Sequence, residues 1–317
     1  MRLLRAACVT ASAAARGGRG FVATVGGFDG IHVGHQQLIG RACSRARELG
    51  CEAMLLSFEP LPLEYLRAED PPARLTNFRE RWRVVQGLDL DVVCLLHFDA
   101  ALRGSTAAQF LSLLAGLGVR HMVVGHDFRF GQRGEGDADW CRAHAAEFGL
   151  GVDIVPPVMV AGQRVGSRRV REALAAGDLD LAAQWLGRAY SMRGRVRRGA
   201  QLGRRLGYPT ANIAPHRRRL PLSGIFAVRV QARCLARPGW PAVASLGTRP
   251  AVNGVEPLLE VHLFDFDGDL YGQELEVEFV ARLRDELPFD SLEGLTAQMH
   301  RDAAAARGIL AGGPRID

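Results

Sequence analysis

The chain has 317 residues, about twice the usual length of one domain, so two domains with separate cores are the expectation. Hydrophobic residues make up 48% and charged residues 23%, which excludes a disordered or fibrous chain. The formal net charge is +6 and all 40 basic residues are arginine, so a P-loop, a protein-kinase strand lysine and Schiff-base chemistry are excluded.

Residues 1–20 carry no readable pattern. Arg5 interrupts the only apolar stretch there, and no export signal is expected. From Phe21 onward strands and helices alternate. FVATVGGF reads as a buried strand, and HQQLIGRACSRAREL as an amphipathic helix closed by Gly50. CEAMLLSF is a strand ended by Pro60 and Pro62. A helix over residues 77–87, the strand DVVCLLHF and a helix opened by the capping pair Thr106 and Gln109 come next. VRHMVVG, a glycine-rich loop, a helix over residues 138–148 and the strand VDIV complete a β-α-β series. Such a series predicts a parallel sheet covered on both faces, with ligands at the carboxyl ends of its strands.

Beyond Tyr190 the pattern changes to SMRGRV, GIFAVRVQARCL, AVASLG, LLEVHLFDF and ELEVEFV, short runs with several period-two alternations. These predict a six-stranded antiparallel barrel followed by a helix from about Leu292 to Arg307, with Ser291 as its N-cap. The expected division is an N-terminal extension over 1–20, an α/β domain over 21–187, a barrel domain over 188–310 and a tail over 311–317. The six scattered cysteines read as free thiols in a reducing cytoplasm, and no apolar run approaches the ~20 residues of a membrane span.

The string GGFDGIHVGH joins the first strand to the first helix. Its glycines permit close backbone approach to a phosphate, and the helix N-terminus supplies free N–H groups. His32 and His35 at that end can bond phosphate oxygens and stabilise the charge that develops in phosphoryl or nucleotidyl transfer.

G-x-F-D-G-x-H-x-G-H resembles the first motif of the H-x-G-H nucleotidyltransferases, in the branch that contains the bacterial FAD synthetases. The resemblance implies a Rossmann-like domain in which His32 and His35 serve adenylyl transfer and Gly26, Phe28 and Asp29 bind ATP. V-G-H-D-F-R-F-G resembles a second landmark and makes Asp127 a nucleotide contact. V-G-S-R-R-V-R resembles I-S-S-T-x-I-R, in which Ser167 and Arg171 hold the departing phosphates. Gly166 and Arg168 replace the usual serine and threonine, Gly27 a usual asparagine and Leu61 a usual histidine. Arg168 either substitutes as a charged phosphate donor or blocks the pocket.

A second string, GRVRRGAQLGRRLGYPTAN, opens the barrel. Its glycines and arginines make an amide-rich, positive loop, and Thr210 and Asn212 are hard oxygen donors two residues apart, suited to Mg²⁺ carried on ATP. In LLEVHLFDF, Glu260, His262 and Phe264 share one face. A glutamate in an otherwise apolar strand needs a partner or a task, and general base is one such task.

These strings, with L-G-T-R-P and F-D-G-D-L-Y-G, resemble riboflavin kinases along nearly the whole second domain. The resemblance implies Glu260 as base, Thr210 and Asn212 as Mg-ATP ligands, Gly199, Gly203 and Gly207 as the ATP loop, and R-L-R-D-E with the following helix closing over the flavin. Arg284 is then a flavin contact, and Ser245 stands where asparagine is usual.

Joined, the two halves resemble the bacterial enzymes that convert riboflavin to FMN and FMN to FAD with ATP and Mg²⁺, needing no tightly bound redox cofactor. A kinase with a degenerate first domain is the alternative. A nucleic-acid binder built on the barrel is disfavoured, because no aromatics are interleaved with the arginines. Residues 217–219 read as a solvated loop.

Overall fold

The protein, described from a computed structural model over residues 1–5, 18–199, 203, 206–251 and 254–312, divides into two compact units. The first comprises Met1–Pro72 and Arg81–Gly166, and the second Ala73–Glu80 and Ser167–Asp317.

In the first unit, strands β1 (Arg2–Arg5), β2 (Phe21–Val25), β3 (Glu52–Glu59), β4 (Val92–His97), β5 (Val119–Gly125) and β8 (Gly151–Val155) form one sheet in the order β1-β4-β3-β2-β5-β8. Every pairing in it is parallel. Two short hairpins, β6 (Arg129–Phe130) with β7 (Gly136–Asp137) and β9 (Met159–Val160) with β10 (Gln163–Arg164), lie between and after the last sheet strands.

Alternation along β2 builds both cores. Phe21, Ala23 and Val25 join Leu111 and Leu114 on one face, and Val22 joins Ile39, Ala42 and Cys43 on the other. The latter three belong to helix α1 (Val33–Leu49), which ends at Gly50 in the left-handed region, φ 63°. Helices α2 (Pro62–Leu66), α3 (Phe78–Val85), α4 (Ala100–Gly104), α5 (Ala107–Gly116) and α6 (Ala138–His144) follow. Thr106 and Gln109 bond each other's backbone N–H at the start of α5, as their spacing predicts.

Two local features were not legible. β1 lies in the segment without a pattern: four residues show no period, and pairing with β4 makes the strand. α2 follows the strand-ending prolines, opened by Pro62 and by Glu64, which accepts from the Leu61 N–H.

The second unit holds α7 (Ser167–Ala176), α8 (Leu179–Leu186) and the predicted closed barrel. The barrel strands are β11 (Ser191–Arg197), β12 (Ala211–Ile213), β13 (Gly224–Gln231), β14 (Trp240–Ala251), β15 (Gly254–Leu263) and β16 (Glu274–Arg284). They close in the order β11-β12-β15-β14-β13-β16. Helix α9 (Leu292–Ala311), N-capped by Ser291, packs Ala303, Ala306 and Leu310 on Ala227 and Phe264.

Residues 73–80 are stitched into this unit. The Tyr190 hydroxyl and Arg217 Nη2 each donate to the Leu75 carbonyl at 2.9 Å, and Arg217 Nε to that of Arg74 at 3.0 Å. Glu80 accepts from Arg217 Nη2 at 2.5 Å and from the Arg193 N–H at 2.8 Å. Arg217 therefore corrects the solvated-loop reading: its side chain is buried and committed, and only Arg218 and Arg219 are exposed.

Arg217→Met should destabilise the protein by about 3 kcal/mol, because it leaves the Glu80 carboxylate buried without its cation. Adding Glu80→Leu should recover most of that loss. Urea unfolding of both variants checks the pair; equal loss in the single and double variants would refute it.

Candidate active sites

In the first unit the chain leaves β2 at Val25 and turns through Gly26, Gly27, Phe28, Asp29 and Gly30 into α1. Gly30 sits at φ 87°, a conformation that favours glycine. Phe28 and Ile31 anchor the turn in the core at 1% and 0% exposure, and Asp29 is buried.

His32 caps α1: its Nδ1 accepts from the His35 N–H at 3.2 Å, so in the neutral ring Nε2 carries the proton. The two imidazoles stack with centroids 3.6 Å apart. His35 Nδ1 is buried with no hydrogen-bond partner among the described residues. Its pKa is held well below the usual histidine value, first by loss of hydration, then by His32 and Arg81. His35 is thus a neutral imidazole.

Arg81, which sequence reasoning missed, is buried under this loop. Its Nη1 donates to the Gly27 carbonyl at 2.9 Å and to Ser57 Oγ at 3.1 Å, and its Nη2 pairs with Glu59 at 2.7 Å. The only sequence signal was a cation on the face of α3 that enters the core.

Gly27 and Leu61, two departures from the resembled motifs, adjoin: a Cβ at Gly27 would lie 3.7 Å from Leu61 Cδ2. Asp127 follows β5, next to β2 in the sheet, and pairs with Arg164 of β10.

Gly26, Phe28, Asp29, His32, His35 and Asp127 thus lie at carboxyl ends of adjacent strands in one unit. Ser167 and Arg171 open α7 in the other unit, where Arg171 Nε donates to the Ala73 carbonyl at 2.5 Å. Arg168 turns to solvent, 90% exposed, and pairs with Glu172 at 2.8 Å. The space around Gly166 is open.

In the second unit, register places Asn212 of β12 opposite Glu260 of β15, and Glu260 opposite Ser245 of β14. Glu260 and His262 alternate with buried Leu259, Val261 and Leu263, so the glutamate faces a cavity rather than the apolar core. The cavity, about 470 Å³, is lined also by Thr210, Tyr208, Arg284, Phe289 and Met299. Burial pushes the Glu260 pKa up; Arg249 opposes this and Glu286 adds to it.

His262 Nδ1 lies 2.9 Å from the Pro209 carbonyl, to which it donates, steadying the residue before Thr210. Arg284 is held by Asp302 at 2.6 Å, and Asp302 by Gln298 at 2.8 Å.

Gly199 lies against the Asn212 amide, where a Cβ would overlap it. Gly203 accepts from the Leu206 and Tyr208 amides, and Gly207 completes that turn at φ 83°. Residues 200–202, 204 and 205 of the glycine-arginine loop lie outside the described residues.

Asn212 Oδ1 is buried with no donor among the described residues, and the Thr210 hydroxyl lies 3.5 Å from the same amide group. Two neutral oxygens suit a hard cation that arrives with phosphate ligands of its own. No group of three or more His, Cys, Asp and Glu side chains placed to hold a metal ion occurs among the described residues.

Nucleotide chemistry at a histidine-capped helix and hydroxyl activation at a barrel glutamate are different reactions. Each unit has the architecture of one class, an α/β nucleotidyltransferase and a barrel-type small-molecule kinase. Comparison with known proteins bears this out. The family model described as FAD synthetase matches residues 15–169, and that described as riboflavin kinase matches residues 186–310.

A bifunctional riboflavin kinase/FMN adenylyltransferase of Pseudomonas fluorescens is 45% identical, covering 92% of this chain and 94% of that protein. Proteins of the same description from Haemophilus influenzae and Escherichia coli K12 are 38% and 39% identical, covering 92% and 91% of this chain and 95% and 92% of theirs. The chain belongs to the bifunctional riboflavin kinase/FMN adenylyltransferase family.

A crystal structure described as a macrolide-efflux protein from Streptococcus pneumoniae is also similar, with TM-score 0.78 and 29% identity over 97% of this chain and 99% of that one. Among the described residues no helix is long and apolar enough to cross a membrane.

Proposed function

We propose that the chain phosphorylates riboflavin to FMN in its barrel unit and adenylylates FMN to FAD at its histidine loop, using Mg-ATP for both steps in the bacterial cytoplasm. The observation that carries the kinase reading is the cross-strand row Asn212–Glu260–Ser245, of which Glu260 and Ser245 line the cavity beside Thr210. Glu260 takes the proton of the ribityl 5′-hydroxyl as that oxygen bonds to the γ-phosphorus. The bond from the γ-phosphorus to the β,γ-bridging oxygen breaks, and ADP leaves. Thr210 and Asn212 hold the cation that draws charge from the phosphates, with Gly199, Gly203 and Gly207 shaping the loop for them.

In the second reaction a phosphate oxygen of FMN bonds to the α-phosphorus of ATP, and pyrophosphate leaves. His32 Nε2–H and the N-terminal amides of α1 meet the charge that develops. Gly26, Phe28, Asp29 and Asp127 bind the nucleotide, Ser167 and Arg171 act on the departing phosphates, and Arg284 contacts the flavin in the kinase. Matches to both family models favour two activities over a kinase with a degenerate first domain.

Chromatography of flavins after incubation with Mg-ATP tests the reading. FAD from riboflavin and from FMN is the expected result, and FMN that is never converted would leave only the kinase.

Two further outcomes are expected. The base acts only when ionised, and burial raises its pKa. Kinase kcat/KM for riboflavin should therefore fall on the acid side with a midpoint above the ~4.3 of an ordinary glutamate. A pH profile flat down to pH 4 would contradict this.

A hydroxyl at position 166 meets open space. Gly166→Ser should thus raise FAD formation two- to tenfold, the value of one added hydrogen bond of ~0.5–1.5 kcal/mol. A hundredfold gain in the same assay would instead mark the natural site as disabled.

A further inference from the structure

The cavity of the barrel unit contains a second carboxylate that the reaction above does not use. Glu286 lies just beyond β16 and crosses the outer face of β14. The Ser245 hydroxyl donates to its Oε1 at 3.3 Å. A Cβ at Gly247 would overlap both of its carboxylate oxygens, so glycine there makes room for them. Ser245 and Gly247 stand two residues apart on one strand and share a face. Ser245 is the direct cross-strand partner of Glu260, which places their Cβ atoms ~5 Å apart. Glu260, Ser245, Gly247 and Glu286 all line the same cavity.

An ionised carboxylate only accepts hydrogen bonds. A ligand group beside it must therefore be a donor, and one that comes within a few ångströms of the group Glu260 deprotonates. On the riboflavin kinase reading, on which this rests, the deprotonated group is the terminal hydroxyl of a polyol chain. The nearest donors are the other hydroxyls of that chain, whereas the ring imide lies at the far end of the molecule.

We propose that Glu286, seated over Gly247 and bonded by Ser245, is a specificity residue that accepts hydrogen bonds from the ribityl hydroxyls next to the one phosphorylated. It selects a hydroxylated side chain and sets the reacting oxygen against Glu260. A second effect comes with this position. Glu286 raises the pKa of Glu260, against Arg249, which lies across from Glu256. The other charged or titratable groups lining the cavity are Tyr208, His262, Arg284 and Asp302, the last two paired with each other.

The test uses the full-length protein with Mg-ATP and four substrates: riboflavin and its 2′-, 3′- and 4′-deoxy analogues. Glu286→Ala should raise KM for riboflavin about tenfold or more, the worth of a charged hydrogen bond, and leave KM for ATP within twofold. For at least one deoxy analogue, wild type and variant should differ by less than twofold, because the contact is already missing. Glu286→Gln keeps an acceptor but removes the charge. It should raise KM less and move the acid limb of kcat/KM to lower pH.

The same loss with all four substrates, or a wild-type KM in Glu286→Ala, overturns the proposal while an active wild type preserves the kinase reading. A wild type inert towards riboflavin overturns both.

Discussion

Glu260→Gln should cut FMN formation from riboflavin by about 10³-fold while FAD formation from supplied FMN stays within twofold of wild type. Positioned general bases contribute ~10²–10⁴-fold, and this site gives reason to expect more than the low end. Burial keeps the pKa of Glu260 above that of an exposed glutamate, which makes its carboxylate a stronger base once ionised. The amide is close in size and still fills the half-buried position, so binding should change far less than turnover. KM for riboflavin is expected within threefold of wild type. A proportionate rise in KM with unchanged kcat would assign Glu260 to binding alone. Asn212→Ala should instead weaken the response to Mg²⁺, since it removes the buried oxygen that has no donor among the described residues. The two variants thus separate proton transfer from cation holding within one cross-strand row.

What could be read in the sequence follows from distance along the chain. The loop from Gly26 to His35 and the segment from Tyr208 to Asn212 carry their chemistry within a few residues, so motif and geometry coincide. Helix boundaries marked by Thr106, Ser291 and Gly50 rest on local capping and appear where expected. Arg81 is different: it reaches Gly27, 54 positions away, through a side chain whose direction only packing decides. Arg217 reads in the sequence as one of three solvated arginines, and its burying partner Glu80 stands 137 positions earlier. Glu286 belongs to the same class, since its seat over Gly247 depends on how β14 passes the chain that leaves β16. The strand pattern showed the barrel, but β12, three residues long, is recognised mainly through its pairing with β11 and β15.

At the histidine loop, His32→Asn should lower FAD formation from FMN by about 10²–10³-fold and leave riboflavin phosphorylation unchanged. Asparagine is among the best N-cap residues, so the helix end keeps its side-chain acceptor for the His35 N–H while losing the imidazole. A fold-based loss is thereby separated from a chemical one. Retained thermal stability with lost adenylyl transfer is the expected pair of results, and retained transfer would remove His32 from the chemistry. The pH dependence of the same reaction tests His35. Its pKa lies well below the usual histidine value, so it is neutral from mildly acidic to alkaline pH and has no proton to lose there. Between pH 6 and 7.5, wild type and His35→Asn should consequently show the same pH dependence of FAD formation, since His35 contributes no titration there. If a decline there occurred in wild type and vanished in His35→Asn, His35 would act as a cation, and the burial that keeps it neutral would have to yield when the nucleotide binds.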